Sequence, residues 1–154
     1  MIKIGIDVGS TTAKLVAVDE NDNLLFSKYE RHNAKAKETI LSFLKELLSE
    51  IGDKDISVRI TGSIGMGISE KCSLPFVQEV VAAAKAIQKD YSHVTSMIDI
   101  GGEDAKVVFF KDAEATDLRM NGNCAGGTGA FIDQMAIILG VNIDELNQLA
   151  MNAT

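Results

Sequence analysis

The stretch Asp7-Val8-Gly9-Ser10-Thr11-Thr12-Ala13-Lys14-Leu15-Val16 occurs twice in this chain. Its second copy is Asp99-Ile100-Gly101-Gly102-Glu103-Asp104-Ala105-Lys106-Val107-Val108, 92 residues further on. Both copies follow an apolar run and lead into another apolar run, which is typical of strands. Each copy is therefore predicted to form a strand, a glycine-containing turn and a second strand.

The chemistry of this turn suits a phosphate group. A glycine two residues after the Asp, Gly9 or Gly101, lets the backbone approach a ligand closely. The following peptide N–H groups can point into one anion-binding concavity, and Ser10, Thr11 and Thr12 add hydroxyl donors. An adjacent Asp suits Mg²⁺, which prefers oxygen ligands and bridges to phosphates. The alternative is an ordinary hairpin, with Asp and Gly as turn residues and Lys as a solvated side chain.

Length and charge limit the classes of protein. The 154 residues are enough for one domain with a substantial core. A net charge of −7 argues against binding to nucleic acid or to an anionic membrane. The chain contains neither an apolar run long enough to span a membrane nor a signal peptide, so we expect a cytoplasmic protein. Its two cysteines lie far apart in the sequence, so a disulfide framework is not expected.

The hydrophobic pattern predicts an α/β fold. Short turns join three strands into an antiparallel meander, and an amphipathic helix from near Asn33 to Gly52 precedes another strand, which implies a crossover. The segment Thr61–Gly67 is predicted to be a flexible glycine-rich loop, and a helix is expected over Phe76–Lys89. Three more strands follow the helix. The predicted strands are Ile2–Val8, Ala13–Val18, Leu24–Tyr29, Ile56–Thr61, Val94–Ile100, Ala105–Phe110 and Ala115–Met120.

A third motif, Asn121-Gly122-Asn123-Cys124-Ala125-Gly126-Gly127-Thr128-Gly129-Ala130, precedes a helix that Gly140 ends. A second helix then opens at Asn142, where Asn142-x-x-Glu145 resembles a capping box. Cys124 thus lies in a glycine-rich loop at a helix N-terminus, a position that favours thiolate. The thiol has three possible roles: a metal or cluster ligand, a nucleophile, or a bystander in a second phosphate loop. Chemistry alone favours the bystander, because an iron–sulfur cluster needs four thiolates.

The duplicated hairpin resembles the phosphate-binding hairpins of actin, Hsp70 chaperones, sugar kinases and acetate kinase. This resemblance implies an actin/Hsp70-like (ribonuclease H-like) α/β lobe, with a mixed β-sheet of βββαβα order flanked by helices. It also implies that Asp7 and Asp99 hold Mg²⁺ beside ATP or ADP, and that Glu79 or Glu103 positions the attacking water. The residues implied to bind the nucleotide and its phosphates are Gly9, Ser10, Thr11, Thr12, Lys14, Gly101, Gly102, Glu103, Lys106, Gly127 and Thr128.

The loop around Cys124 resembles the signature of ATP-dependent activators of 2-hydroxyacyl-CoA dehydratases and of the related benzoyl-CoA reductase subunits. In that family this Cys is a ligand of a [4Fe–4S] cluster shared between two subunits. The resemblance therefore implies a homodimer that hydrolyses ATP and passes one electron to a 2-hydroxyacyl-CoA dehydratase-type enzyme. Reduced ferredoxin or flavodoxin would be the electron donor. No partnership with nucleic acid or a membrane is expected.

One departure from the family pattern affects these expectations. The family's second ligand Cys and its second lobe would lie beyond Thr154, so residues 1–154 are predicted to be the N-terminal ATPase lobe of a longer chain. Two other interpretations remain open. One is a small-molecule kinase of the same superfamily, in which Cys124 is incidental. The other is a non-catalytic nucleotide-sensing module.

Overall fold

A computed structural model describes residues 1–111, 114–122 and 126–153, with only the backbone described at Glu114 and Thr116. The chain divides into two compact units, Met1–Lys85 and Ala86–Thr154. Helix α3 (Glu79–Asp90) contains the boundary between them. No helix in the described residues combines the length and apolar character needed to cross a bilayer.

The first unit is built on a four-stranded mixed sheet of order β3-β2-β1-β4. Neighbours β1, β2 and β3 pair antiparallel, and β4 pairs parallel to β1 after the crossover through α1. This confirms the predicted βββαβα order and the fold class. The elements are β1 (Ile2–Val8), β2 (Thr12–Val18), β3 (Leu24–Arg31), α1 (Ala36–Ile51), β4 (Ile56–Thr61) and α2 (Gly65–Cys72).

The core of this unit lies between α1 and one face of the sheet. Alternate residues of β1 and β2 are buried, as a strand with one covered face requires. The residues that α1 contributes lie on one side of the helix: Ile40, Phe43, Leu47 and Ile51. Asp7 and Lys14 lie on the opposite face of the sheet, where they line a cavity.

Several strand ends differ from the sequence prediction by one or two residues, and the three largest differences concern helices. Helix α1 begins at Ala36 rather than near Asn33, because Asn33 and Ala34 both have positive φ. The predicted loop over Thr61–Gly67 is wrong from Gly65 onward, where α2 begins and runs to Cys72. Helix α3 begins at Glu79 rather than Phe76, since Phe76 is extended and forms a parallel bridge to Ile60.

The second unit contains an antiparallel sheet of order β5-β6-β7 and two helices. These strands pair with one another within the described residues, so the second hairpin has a sheet of its own. The capping box at Asn142 is confirmed: its side chain accepts from the Glu145 N–H, and Glu145 accepts from the Asn142 N–H. The elements are β5 (Ser96–Ile100), β6 (Ala105–Lys111), β7 (Glu114–Asn121), α4 (Gly129–Leu139) and α5 (Ile143–Met151).

Candidate functional site

The two copies of the repeat form the same hairpin. Asp7 and Lys14 are cross-strand neighbours in the β1–β2 ladder, and Asp99 and Lys106 are neighbours in the β5–β6 ladder. The turns also close alike: the N–H of the glycine donates to the carbonyl three residues later, at 3.0 Å in the first hairpin and 2.8 Å in the second. The repeated sequence therefore encodes a repeated backbone, with the acidic residue at a strand end and the lysine opposite.

Asp7 has one oxygen in an ion pair and one oxygen without a protein partner. Its Oδ2 accepts from the Lys14 Nζ at 2.7 Å. Its Oδ1 is buried and has no hydrogen-bond partner within the described residues, and the same holds for the Oγ1 of Thr61. Thr61 is the residue aligned with Asp7 on the parallel strand β4. Because buried polar atoms are normally satisfied, this pair of oxygens indicates a place for a ligand.

Gly62 keeps the space beside the Asp7 carboxylate open. It has φ of +90°, and a Cβ there would lie 2.4 Å from the Val8 carbonyl oxygen and 2.5 Å from the Asp7 Oδ1. A hydrogen bond also holds the following residues against the end of β1, because the Ile64 N–H donates to the Val8 carbonyl at 2.9 Å. A side chain at position 62 is therefore excluded both by backbone conformation and by space.

Lys14 lies in a largely anionic environment. Burial lowers the pKa of Lys14, but the hydrogen bond and charge of Asp7, followed by electrostatic interactions with Tyr29 (in its ionised form) and Glu79, outweigh burial and raise the pKa above its usual value. The ammonium also lies 5.5 Å from the centroid of the Tyr29 ring. A cavity of about 270 Å³ adjoins this group, and its lining includes Asp7, Lys14, Arg59, Thr61 and Val77.

The second hairpin uses its lysine differently. The Lys106 Nζ donates to the Oδ1 of Asp104 at 3.0 Å, lies 2.9 Å from the Oδ2, and is 3.9 Å from the nearer oxygen of Asp99. Lys106 is also almost completely buried, at 5% exposure. Lys106 is therefore paired more closely with Asp104, a residue that was not predicted to be part of the site, than with Asp99.

The N-terminus of α4 is bonded to the turn of the second hairpin. The N–H groups of Gly129 and Ala130 donate to the carbonyls of Gly101 and Gly102 at 2.8 and 3.1 Å. These are N–H groups that a helix cannot satisfy internally. Thr128, at the helix N-cap, is fully buried. The helix that follows the glycine-rich loop is thus attached directly to the candidate phosphate turn.

The other predicted site residues lie in the two turns, at the start of α3 and before α4, and one of them, Cys124, is outside the described residues. Glu79 is half-buried in the first turn of α3, in the electrostatic environment of Lys14, whereas Glu103 is exposed on the second turn. Cys72 is an exposed free thiol at the end of α2. The candidate phosphate ligands that line the two turns are Gly9, Ser10, Thr11, Thr12, Gly101 and Gly102, and Gly127 precedes α4.

The sequence analysis missed two residues that shape the first hairpin, His32 and Thr61. His32 is buried, and its Nε2 lies 3.1 Å from the Gly9 carbonyl oxygen. Thr61 was predicted only as the end of a strand and the first residue of the loop that follows it. Register with Asp7 on a parallel neighbour could have indicated Thr61, because parallel strands bring their C-terminal ends to one edge. Nothing in the sequence pattern distinguishes His32 from a solvated polar residue.

The described residues contain no cluster of three or more histidine, cysteine or acidic side chains suited to a metal. The first hairpin nevertheless fits Mg²⁺, which is commonly held by one or two carboxylates together with water and substrate phosphates. The unpartnered Asp7 Oδ1 is such a carboxylate oxygen. The donor set therefore fits a magnesium–nucleotide complex better than an all-protein metal cage.

These features define the class of the protein: it is an α/β protein with an actin/Hsp70-like fold. Its family follows from a direct match, because residues 4–154 match the model of the BadF/BadG/BcrA/BcrD ATPase family. The chain belongs to that family.

Similar proteins include activators of acyl-CoA dehydratases. The chain is 31% identical to a 2-hydroxyisocaproyl-CoA dehydratase activator from Clostridioides difficile, over 99% of this chain and 58% of the relative. Two crystal structures match all of this chain. The first is component A of (R)-2-hydroxyglutaryl-CoA dehydratase from Acidaminococcus fermentans, with a TM-score of 0.87, 28% identity and 60% of that chain covered. The second is a Clostridium difficile 2-hydroxyisocaproyl-CoA dehydratase activator with bound ADPNP, with a TM-score of 0.86, 29% identity and 58% covered.

The chain therefore spans about three fifths of the length of these relatives.

Proposed function

We propose that this chain is the N-terminal part of an ATP-binding and ATP-hydrolysing activator, which drives single-electron transfer to a 2-hydroxyacyl-CoA dehydratase-type enzyme. Membership of the ATPase family supports nucleotide binding. The activator role is supported by the similarity to dehydratase activators along the whole of this chain. The observation that carries the proposal is the duplicated hairpin, because in its first copy Asp7 has a buried carboxylate oxygen with no hydrogen-bond partner among the described residues.

The Mg²⁺ ion would neutralise phosphate charge and bridge the nucleotide to the hairpins. Asp7, through its Oδ1, and Asp99 are the residues proposed to hold it, directly or through water. Lys14 lies beside Asp7 and would place a second positive charge near the phosphates. Because its pKa is raised, Lys14 stays protonated at neutral pH, as a phosphate-binding lysine must.

The turns themselves would bind the phosphates. Their backbone N–H groups form the concavities, over Gly9–Thr11 in the first hairpin and Gly101–Glu103 in the second. Hydroxyls of Ser10, Thr11 and Thr12 add donors, and Lys106, Gly127 and Thr128 contribute from the second unit. Of the two candidates for positioning the attacking water, Glu79 has the stronger support, because its charge acts on Lys14.

The attachment of α4 to the second turn gives a route from nucleotide to partner. A change at Gly101 and Gly102 acts on the first turn of α4 through the two hydrogen bonds from Gly129 and Ala130. ATP drives such a change only if it binds one arrangement better than the other. Cys124 precedes this helix in the sequence by five residues, so we propose that α4 transmits the effect of the nucleotide toward it.

Cys124 is the proposed cluster ligand of this chain. A [4Fe–4S] cluster shared between two subunits of a homodimer would supply the low-potential electron, with reduced ferredoxin or flavodoxin as donor. Since such a cluster needs four thiolates, each subunit would give Cys124 and one further cysteine from the part of its chain beyond residue 154.

The test uses the full-length protein, purified without oxygen. We expect about two iron and two acid-labile sulfide per chain in a dimer, together with Mg²⁺-dependent ATP hydrolysis. Cys124→Ser should lose iron and the brown colour but retain ATP binding. Cys72→Ser, the matched control at an exposed thiol, should retain the iron, the colour and ATP binding. A monomer without iron that phosphorylates a small hydroxyl compound would overturn the proposal in favour of a kinase.

A further inference from the structure

His32 is a buried histidine behind the first phosphate-binding turn. It follows β3 directly, and its residue exposure is only 4%. The chain has one other histidine, His93, which is exposed. A histidine in an apolar core usually satisfies both ring nitrogens. Here Nε2 lies 3.1 Å from the Gly9 carbonyl oxygen, whereas the buried Nδ1 has no partner within the described residues.

The contact with Gly9 defines the state of the ring. A carbonyl oxygen can only accept, so the ring hydrogen lies on Nε2, and His32 donates to Gly9. The backbone of the same residue adds a second bond, because the His32 N–H donates to the Thr11 carbonyl at 3.2 Å. A third bond closes the turn from within, from the Gly9 N–H to the Thr12 carbonyl at 3.0 Å. His32 therefore holds two of the three turn carbonyls in these bonds.

Fixing a carbonyl also fixes the neighbouring N–H. In a trans peptide the C=O and the N–H point in opposite directions, and the chain has no cis peptide among its described residues. With the Gly9 oxygen directed at His32, the N–H of Ser10 is directed away from it. A rotated Gly9–Ser10 peptide would present a carbonyl oxygen to the phosphate instead of a donor, and that oxygen would repel the anion.

We propose that His32 is a positioning residue that sets the first turn in its anion-binding conformation before the nucleotide arrives. The proposal rests on the proposed function, since it assumes that the turn binds phosphate. An apolar residue would fill the same space without leaving a buried ring nitrogen unpartnered. Burying Nδ1 without a partner among the described residues costs stability, and the hydrogen bond from Nε2 to Gly9 offsets that cost. His32 does not touch the nucleotide in this account; it acts through the Gly9–Ser10 peptide.

Two substitutions separate positioning from packing. His32→Leu removes the hydrogen-bond donor and fills the buried space with an apolar side chain. His32→Gln keeps an N–H donor at a similar distance from the backbone. His93→Leu is the control at an exposed position. In the full-length protein, calorimetric titrations with ADPNP·Mg²⁺ and with adenosine would be compared, and urea unfolding would confirm that each variant is folded.

We expect His32→Leu to weaken ADPNP binding about tenfold, the effect of losing one well-placed hydrogen bond to a charged ligand. Adenosine affinity should stay unchanged, His32→Gln should restore most of the ADPNP affinity, and His93→Leu should have no effect. Equal losses for adenosine and ADPNP would overturn the proposal, because they would show a general structural role. Unchanged ADPNP affinity in a folded His32→Leu protein would overturn it too.

A second measurement needs neither a variant nor a nucleotide. The ¹⁵N shifts of the His32 ring report which nitrogen carries hydrogen, and we expect Nε2–H with a scalar coupling across the hydrogen bond to Gly9. A ring protonated only on Nδ1 would overturn the positioning role. If the unsubstituted protein binds no ADPNP, the proposed function fails, while the ring spectrum still decides how His32 holds the turn.

Discussion

The two hairpins have the same backbone and the same Asp–Gly–Lys framework, yet their lysines have different partners. Lys14 pairs with the strand-end Asp7 at 2.7 Å, whereas Lys106 pairs with Asp104 at 2.9 Å and lies 3.9 Å from Asp99. Asp104 occupies the position that Thr12 occupies in the first copy. One residue in the turn therefore decides which carboxylate neutralises the lysine.

The hairpins also differ in what supports the turn. The first turn is held from behind by His32 at the end of β3, within its own sheet. The second is held by the first two residues of a helix, Gly129 and Ala130. The repeated residues therefore encode the same turn, while the residues that differ between the copies determine what the turn is bonded to. In the proposed function, the first hairpin would hold the metal–phosphate group, and the second would connect it to α4.

The largest expected effect on stability is that of a substitution at Gly62, which lies beside the Asp7 carboxylate. Gly62→Ala would place a Cβ 2.4 Å from the Val8 carbonyl oxygen at φ of +90°. The clash with the backbone and the left-handed conformation each destabilise the alanine variant, and their costs add. We therefore expect a loss of about 3 kcal/mol or more in the free energy of unfolding. Gly5→Ala in the same sheet, with no atom within 4 Å of its Cβ, should cost less than about 1 kcal/mol. Equal values from urea unfolding would contradict this description.

Removing each lysine tests the difference in partners. Lys106→Met leaves Asp104 and Asp99 without their buried cation, so we expect a loss of about 2 kcal/mol, below the range for a fully buried pair because both carboxylates are partly exposed. Lys14→Met removes a pair whose lysine is 44% exposed, so its stability cost should be within about 1 kcal/mol. Chemical unfolding of both variants is the measurement. A larger loss for Lys14→Met would reverse the comparison.

The turn glycines should also differ. A Cβ at Gly101 would lie 2.5 Å from the Asp104 Oδ1 and 3.2 Å from its carbonyl oxygen, whereas a Cβ at Gly9 would lie 3.7 Å from the nearest atom, the Thr12 carbonyl oxygen. We therefore expect Gly101→Ala to cost about 1–2 kcal/mol and Gly9→Ala less than about 0.5 kcal/mol. The same unfolding measurement applies, and similar costs at both positions would mean that Asp104 does not crowd the second turn.

The smallest effect is a pH dependence. The pKa of Lys14 is raised above its model-peptide value of 10.5 in the folded protein. A raised folded pKa contributes stability that is fully present below the unfolded pKa and is lost as the pH rises through the folded pKa. The stability difference between the wild type and Lys14→Met should therefore be constant from pH 7 to about 9.5 and shrink above about pH 10.5. A difference that grows at alkaline pH would contradict the pairing with Asp7.

Much of this architecture follows from local pattern. An apolar run predicted β1, the repeat predicted both hairpins, and the Asn142–Glu145 spacing predicted the start of α5. These features depend on residues close together in the sequence. The start of α3 does not, because Phe76 is held extended by its bridge to Ile60, and tertiary pairing overrides helix propensity there.

The site was predictable only in part, for the same reason. The repeat predicts the two hairpins, and the register of each short hairpin then places its Asp opposite its Lys. The roles of His32 and Asp104 depend on how a turn meets its surroundings. A buried His and a second Asp in a turn give no periodic signal, and their contacts appear only once the strands are assembled.

In the proposed function, the Oδ1 of Asp7, which has no hydrogen-bond partner among the described residues, binds the metal of a magnesium–nucleotide complex. The most direct measurement is the calorimetric affinity of the full-length protein for ADPNP with and without Mg²⁺, for the wild type, Asp7→Asn and the exposed control Asp53→Asn. We expect Mg²⁺ to strengthen binding by the wild type and by Asp53→Asn at least about tenfold, and to have little effect on Asp7→Asn. The same Mg²⁺ dependence in Asp7→Asn as in the wild type would contradict the claim.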